Sequence, residues 1–500
     1  MSLKTNLIAN YLGQGWSGLI GLIFIPVYIG YLGMESFALI GVYAILQAWL
    51  ALLDMGMSTT LNREMARFTA GVHTPQSIRD LLRSLEWIGA TISILIGVSV
   101  WSISTWLAGE WLRAEKLPVE VVSQAIAIMG WVVAGRLLEG LYRGALLGLQ
   151  NQVLFNAINA FLSTLRAVGA IAVLAYISPS IQAYFVWHLI ISILALAFLA
   201  AVAHARLPPA PLPARFSRDA IRSLWRFAAS MAAITFLALL LTQIDKILLS
   251  RLLDLESFGY YALATTVASG LALLINPISQ AYYPRFSEMV ARNDKVSLTS
   301  DYHFGAQLVS ALAAPVAMML IFYGQEIMTL WTGDAELSQR VAPLLALLVL
   351  GSLLNGMMHI PYMLQLAHGW PSLAVKVNLV AVIVLVPTIL WVTPRYGAIG
   401  ASVVWVALNA GYVLIGMYFM FQRLLSEEKW KWYRCDVLWP LGAAAGIVAS
   451  SCLLKPNIDY MPAQLGWLMG VALLTLLGTL AASDQVKSKL IRGVISVCRH

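Results

Sequence analysis

Charge is what this sequence has least of. Only 11% of its 500 residues are Asp, Glu, Lys or Arg, against about 25% in an ordinary soluble protein. Hydrophobic residues make up 60%, and a water-soluble domain could not hide so much apolar surface. A bilayer removes the difficulty by being the solvent. Cysteine is nearly missing as well. Cys435, Cys452 and Cys498 lack metal-ligand spacing, so neither a metal site nor a disulfide is expected, and no other cofactor is implied. The loops contain no P-loop or nucleotide-sugar pattern. Their longest external segments, near 110–123 and 329–342, are too short to house a catalytic domain. A membrane polymerase, ligase or glycosyltransferase is therefore the weaker reading.

What is present is one apolar stretch after another. A span needs about 20 such residues, because each residue of a helix rises about 1.5 Å through a hydrocarbon core of about 30 Å. Lengths near twenty, with Gly and Pro inside, point to helices rather than barrel strands, which would be half as long and alternate in polarity. The expected spans are 7–30, 37–58, 87–109, 124–147, 153–176, 183–205, 227–250, 259–282, 306–328, 343–366, 373–393, 398–421, 438–455 and 465–483. The first runs past Pro26 without a small-residue cleavage site, so it is expected to be retained. The fold class is an all-α polytopic membrane protein of about fourteen transmembrane helices.

The net charge of +8 invites a nucleic-acid reading, but the basic residues form no patch or stripe. They alternate between loops. Twenty-one Lys and Arg fall on one side, among them Arg63, Arg79, Arg215, Arg285, Lys429 and Lys487, and six fall on the other, including Arg113, Lys116 and Arg340. Positive residues gather in the cytoplasm, so both termini are expected inside, and no nucleic-acid partner is expected. Two cytoplasmic segments have the pattern of interfacial amphipathic helices. One opens at Thr74-Pro75 and runs over Ser77–Leu85; the other opens at Ser217, with Ile221, Leu224 and Trp225 apolar. Before the second, Pro208, Pro209, Pro211 and Pro213 form a stiff linker.

That linker separates two similar halves. Leu32-Gly-Met-Glu-Ser-Phe37 follows the first span and Leu253-Asp-Leu-Glu-Ser-Phe258 the seventh. Leu138-Glu-Gly140 in the fourth span matches Leu354-Asn-Gly356 in the tenth, and Asn159 in the fifth matches Asn378 in the eleventh. A duplicated unit of six helices gives parallel repeats, a transporter hallmark, with a site expected between the halves. The expected organisation is an N-terminal six-helix bundle over 1–205, a cytoplasmic linker and amphipathic helix over 206–226, and a second six-helix bundle over 227–421. Two helices and a basic tail follow over 422–500.

Asn10, Pro26, Leu32-Gly-Met-Glu-Ser-Phe37 and Leu53-Asp-Met-Gly56 leading to Arg63 resemble the polysaccharide (O-antigen) flippases. These belong to the multidrug/oligolipidic-saccharidyl-lipid/polysaccharide exporter superfamily. The resemblance implies two six-helix bundles around a central cavity, working by alternating access in a bacterial inner membrane. It also implies a lipid-linked oligosaccharide on undecaprenyl pyrophosphate as cargo, and polysaccharide polymerase or assembly proteins as partners beside membrane lipid. The rival within the superfamily is a multidrug cation antiporter.

A charge at the bilayer centre costs about 2.5–3.5 kcal/mol on insertion scales, so each one inside a span needs a reason. Arg136, Glu139 and Arg143 share one face of the fourth span. They form either a self-neutralising triad or a cavity lining with one positive charge left over. Asn156, Asn159, Ser163 and Arg166 stripe the fifth span, and Asn6, Asn10, Gln14 and Ser17 the first. Amides and hydroxyls suit sugars, and the guanidinium fork suits a phosphate; the alternative is interhelical hydrogen bonding. The cationic balance favours an anionic pyrophosphate-sugar over a cationic drug. Asp245 and the adjacent Lys246 are candidates for ion coupling, or for pairing with a neighbouring helix. His188 and His359 read as core histidines. Gly140, Gly144 and Gly148 read as a packing seam.

Overall fold

The structure is a computed structural model. It describes residues 13, 15–54, 56–69, 71, 73–217, 236, 239–240, 242–370, 372–456 and 460–489. Asn6, Asn10 and Gln14, the expected amphipathic helix beyond Ser217, the beginning of the seventh span and Cys498 lie outside the described residues.

The described residues form helices, with one isolated bridge between Arg113 and Asp254. Among the described residues, eleven helices are long and apolar enough to cross a membrane. One of them covers Ser372–Arg423, far longer than one crossing needs, and its backbone turns at Gly397 (φ +59°), a conformation that suits glycine. It therefore accounts for two spans. With the shorter apolar helix Met34–Trp49 and the helical stretch at 242–252, the chain is an all-α, multi-pass membrane protein of about fourteen helices.

The chain divides into two compact units, Met1–Gly259 and Tyr260–His500. In the first, α1 (Gly15–Leu32) and α2 (Met34–Leu53) are followed by a short helix α3 (Met57–Thr69), then α4 (Pro75–Trp106), α5 (Val119–Gly148), α6 (Gln152–Tyr176) and α7 (Ile181–Arg206). The expected interfacial helix over 77–85 does not exist as a separate element. It is the first part of α4. Thr74 caps it through a reciprocal pair with Ser77, with Pro75 at the first helical position. From there to Trp106 nothing stronger than Gly89 and Gly97 interrupts the helix, so it runs on into the span.

The Pro-rich segment lies along the same turns of α4. The Arg79 guanidinium donates to the carbonyls of Leu207 (2.9 Å) and Pro208 (2.8 Å). In return, Gln76, Asp80 and Ser84 accept from the backbone N–H groups of Leu212, Arg215 and Ser217. Its stiffness is therefore matched by attachment: proline removes donors from the segment, and α4 supplies partners for the polar groups that remain.

Both copies of the repeated hexapeptide hold one loop. The Glu35 carboxylate accepts from the backbone N–H of Glu115 (2.6 Å) and of Lys116 (3.0 and 3.1 Å). The Lys116 ammonium pairs with Glu256, and the Leu255 N–H donates to the Arg113 carbonyl at 2.9 Å. Gly259 sits so close to Met34 and Ala38 that a Cβ there would lie 3.0 Å from the Met34 carbonyl oxygen.

The second unit contains the rest of α8 (Leu255–Ser269), then α9 (Leu271–Ala291), α10 (Lys295–Phe322), α11 (Gly324–Thr332), α12 (Ala335–Met357), α13 (His359–Ala367), α14 (Ser372–Gly411), α15 (Met417–Arg423), α16 (Trp439–Leu453) and α17 (Met461–Ala482). The segment that leads into α16, and α17 with the residues just after it, are stitched to α10 by polar contacts. His303 is bracketed by Asp436 (2.5 Å) and Glu428 (2.9 Å). The Gln307 amide donates to Asp436 and accepts from the Gln485 N–H, and the Thr479 hydroxyl reaches the Ala311 carbonyl at 3.1 Å.

Candidate functional site

The first unit contains a cavity of about 250 Å³ built by α2, α5, α6 and α7. Gln47, Arg136, Glu139, Arg143, Asn159 and Arg166 line it, with Phe155, Ile158, Leu162 and Leu199 as its apolar wall. A second cavity of about 370 Å³ shares Arg143, Phe155 and Asn159 with the first and adds Ser17, Asn62, Gln152 and Asn156. Six of the eight residues expected to bind substrate line these two cavities: Arg136, Glu139, Arg143, Asn159 and Arg166 the first, and Asn156 the second. Asn10 and Gln14, the remaining two, lie outside the described residues.

The charges are not arranged as the spacing on α5 suggested. Glu139 accepts from the Arg166 guanidinium at 2.7 Å and from the Ser192 hydroxyl at 2.6 Å, so its partners come from α6 and α7. Glu139 and Arg166 are both buried, where a carboxylate and a guanidinium need each other. Trp187 donates to the Arg166 carbonyl at 3.2 Å and fixes that turn of α6. Arg136 faces the Tyr43 hydroxyl, which Gln47 also holds at 2.5 Å. Its Nε has no hydrogen-bond partner among the described residues. Arg143 is exposed and lies 5.5 Å from the Phe155 ring centroid. Three guanidinium groups therefore share a wall with one carboxylate, and that carboxylate is already committed to Arg166.

The polar stripe of α6 has two uses. Ser163 and Asn159 both bond to Ser17 on α1 (3.2 and 3.1 Å), and the Thr164 hydroxyl accepts from the Trp16 indole at 3.0 Å. Asn159 lines both cavities as well. The Asn156 amide donates back to the Gln152 carbonyl at 2.9 Å, and the residue lines the second cavity. Asp245 and Lys246 line neither cavity; Lys246 Nζ lies 3.8 Å from Asp245 Oδ1 and donates to the Thr242 carbonyl at 2.7 Å. Tyr43, Gln47, Asn62 and Ser192 were not singled out in the sequence. The first two are polar groups four apart in an apolar helix, a pattern as legible as that of α6. Ser192 gives no such signal.

A family model described as polysaccharide biosynthesis protein matches residues 3–290, more than half of the chain. The chain belongs to that family. A second model, MatE, matches residues 231–391. Among solved structures, the fold is similar to "Lipid II flippase MurJ, inward closed conformation", with a TM-score of 0.67 at 13% identity over 97% of this chain and 99% of that one. It is also similar to an inward-facing multidrug resistance MATE family transporter of the MOP superfamily, with a TM-score of 0.62 at 13% identity over 86% and 96% of the two chains. No curated protein sequence matches it. The likeness to these two structures shows a shared fold in a chain of the polysaccharide biosynthesis protein family.

Proposed function

We propose that this family member moves a lipid-linked oligosaccharide, carried on undecaprenyl pyrophosphate, from the inner to the outer leaflet of a bacterial inner membrane by alternating access. The observation that carries the reading is the charge of the cavity in the first unit: Arg136, Arg143 and Arg166 against Glu139 alone. Since Glu139 is occupied by Arg166 and Ser192, Arg136 and Arg143 are the groups left for an anion. Guanidinium forks bind phosphate oxygens in pairs and keep their charge at any physiological pH. The same field repels an organic cation, which sets this reading above a multidrug antiporter. Asn159 and Gln47 supply hydroxyl partners at the same wall. The cargo's travel changes no covalent bond, so the reading requires no catalytic residue.

Transport of labelled lipid-linked oligosaccharide into the outer leaflet of proteoliposomes tests it. Arg136→Gln and Arg143→Gln are each expected to lower the rate about tenfold or more, on the scale of a charge-assisted hydrogen bond of about 1.5–3 kcal/mol, with normal amounts of folded protein. Arg143→Lys should recover part of the loss. Unchanged transport in both Gln variants would sink the proposal.

The orientation proposed for this function has both termini in the cytoplasm, supported by the uneven Lys and Arg content of alternate loops. Reporter fusions after Phe216 and Asn293 should read cytoplasmic, and those near Ala114 and Gly333 external. A cytoplasmic signal at Gly333 would contradict it.

A further inference from the structure

The second unit has a cavity of its own, of about 360 Å³, between α9, α12, α13, α14 and the turn before α15. An adjoining smaller cavity shares Asn355 and His359 with it and adds Ser352 and Trp405. The sequence repeat relates this place to the charged cavity of the first unit. Aligning Leu138-Glu-Gly140 with Leu354-Asn-Gly356 pairs Arg136 with Ser352, Glu139 with Asn355 and Arg143 with His359. Aligning Asn159 with Asn378 pairs Arg166 with Leu385. Glu139 and Asn355 each line the cavity of their own unit, and so do Asn159 and Asn378. The duplicated cavity has therefore kept its place in each unit while every charge in it has been replaced.

The replacements have a definite chemistry. Among the described residues the wall carries no carboxylate, ammonium or guanidinium group; its polar groups are the amides of Asn276, Gln280, Asn355, Gln365 and Asn378 and the Ser279 hydroxyl, and its rings are Tyr362, Tyr412 and His359. Asn355 is oriented by a 2.9 Å bond to Asn409, which is itself tied to the Trp405 carbonyl at 2.8 Å. Gln365 is 5% exposed, and its Oε1 has no hydrogen-bond partner among the described residues. A buried amide oxygen left open costs about 1–3 kcal/mol, which a ligand donor would recover.

The helices around the cavity are interrupted as well. Pro277 follows Asn276 inside α9, α12 ends at Met357 and α13 begins at His359, and a π-helical turn covers Tyr412–Gly416. Broken helices at membrane depth occur where backbone lines a cavity or a substrate site, and π turns gather at functional sites.

We infer that this cavity is a binding site for uncharged sugar units, with the amides pairing sugar hydroxyl or acetamido groups and the rings packing on the apolar faces of the sugars. It rests on the proposed transport of a lipid-linked oligosaccharide and gives the glycan a site distinct in chemistry from that of the pyrophosphate. The MatE model also covers most of these residues, but a cavity without a carboxylate offers an organic cation no counter-charge.

Saturation-transfer NMR on the full chain in lipid nanodiscs tests the inference, because it detects weak saccharide binding. The probes are neutral and N-acetylated hexose oligomers, inorganic pyrophosphate and tetraphenylphosphonium. Wild-type protein should give a saccharide signal that Asn378→Leu and Gln365→Met each weaken about five- to tenfold, the worth of about one hydrogen bond. Arg143→Gln should lose the pyrophosphate signal and keep that of the saccharide. Asn378 is only half-buried, so its variant stays informative if Gln365→Met fails to fold. Pyrophosphate binding without saccharide binding would overturn this inference alone, and saccharide binding without pyrophosphate binding would overturn the transport reading alone. A saccharide signal indifferent to both variants, or a tetraphenylphosphonium signal that they abolish while saccharides give none, would also reject the site.

Discussion

Arg166→Leu alone is expected to destabilise the protein by about 3–5 kcal/mol, because it leaves the Glu139 carboxylate buried without its counter-charge. That is a large part of the about 5–15 kcal/mol that holds a typical domain folded, so little folded protein should reach the membrane. Glu139→Leu alone should behave in the same way, stranding Arg166, whose Nε already has no hydrogen-bond partner among the described residues. The double replacement Glu139→Leu with Arg166→Leu removes both charges, and apolar side chains of similar bulk often substitute for a buried pair at little cost. Ser192 would lose its acceptor in that variant, but a helical serine can turn to a carbonyl one turn back. Membrane levels and thermal unfolding of the two single variants and the double one decide the matter. If both single variants accumulate and unfold like wild type, the pair does not hold α5, α6 and α7 together. The double variant also separates structure from transport. It keeps Arg136 and Arg143 at the cavity, so its transport should exceed that of Arg136→Gln or Arg143→Gln at equal protein level.

How these charges pair could not be read from the sequence. Spacings of three and four put Arg136, Glu139 and Arg143 on one face of α5, which is all that helical geometry decides. Glu139 found Arg166 on another helix, and Ser192 on a third, because interhelical packing brings those groups to 2.7 and 2.6 Å. The presence of a polar wall was legible for a simpler reason: a charge in an apolar span is costly, so Arg136, Glu139 and Arg166 announced themselves by being there at all. Tyr43 and Gln47 carried the same kind of signal more faintly. The repeat was legible too, and its worth shows in the contacts of Glu35 and Glu256 with one loop and in the matched cavity positions Glu139 and Asn355. The interfacial helix over 77–85 was misread because amphipathic spacing continues unbroken from a membrane surface into a span. In that case only the absence of a breaker after Leu85 distinguishes the two, and Gly89 is too weak a breaker to end α4.

Gly144→Ala is expected to displace α3 from α5. A Cβ on Gly144 would lie 2.3 Å from the Ser58 carbonyl oxygen, and one on Gly148 would lie 2.3 Å from that of Asn62. Both obstacles are backbone, so no rotamer change relieves them. Ser58 cannot retreat easily, since its N–H and hydroxyl are both held by Asp54, the hydroxyl at 2.6 Å. Forcing added atoms into a packed contact costs about 1–3 kcal/mol, and here the helix gains back no more than the about 1 kcal/mol by which alanine exceeds glycine. Gly140 provides the internal comparison. Its added Cβ would meet only the Ser58 hydroxyl, at 3.3 Å and not backbone at 2.3 Å, so Gly140→Ala should cost far less than either. Thermal unfolding should rank Gly144→Ala and Gly148→Ala well below Gly140→Ala. A cysteine introduced at the buried Met65 gives the local reading: it should resist an aqueous maleimide in the parent and in Gly140→Ala, and react in Gly144→Ala. Equal unfolding temperatures for all three alanine variants, with the cysteine protected throughout, would show that α3 does not depend on the glycine seam. The consequence for function follows from Asn62, which α3 contributes to the wall of the cavity beside Arg143. Moving α3 removes that wall, so Gly144→Ala should also weaken pyrophosphate binding in protein that remains folded, although the glycine itself touches no ligand.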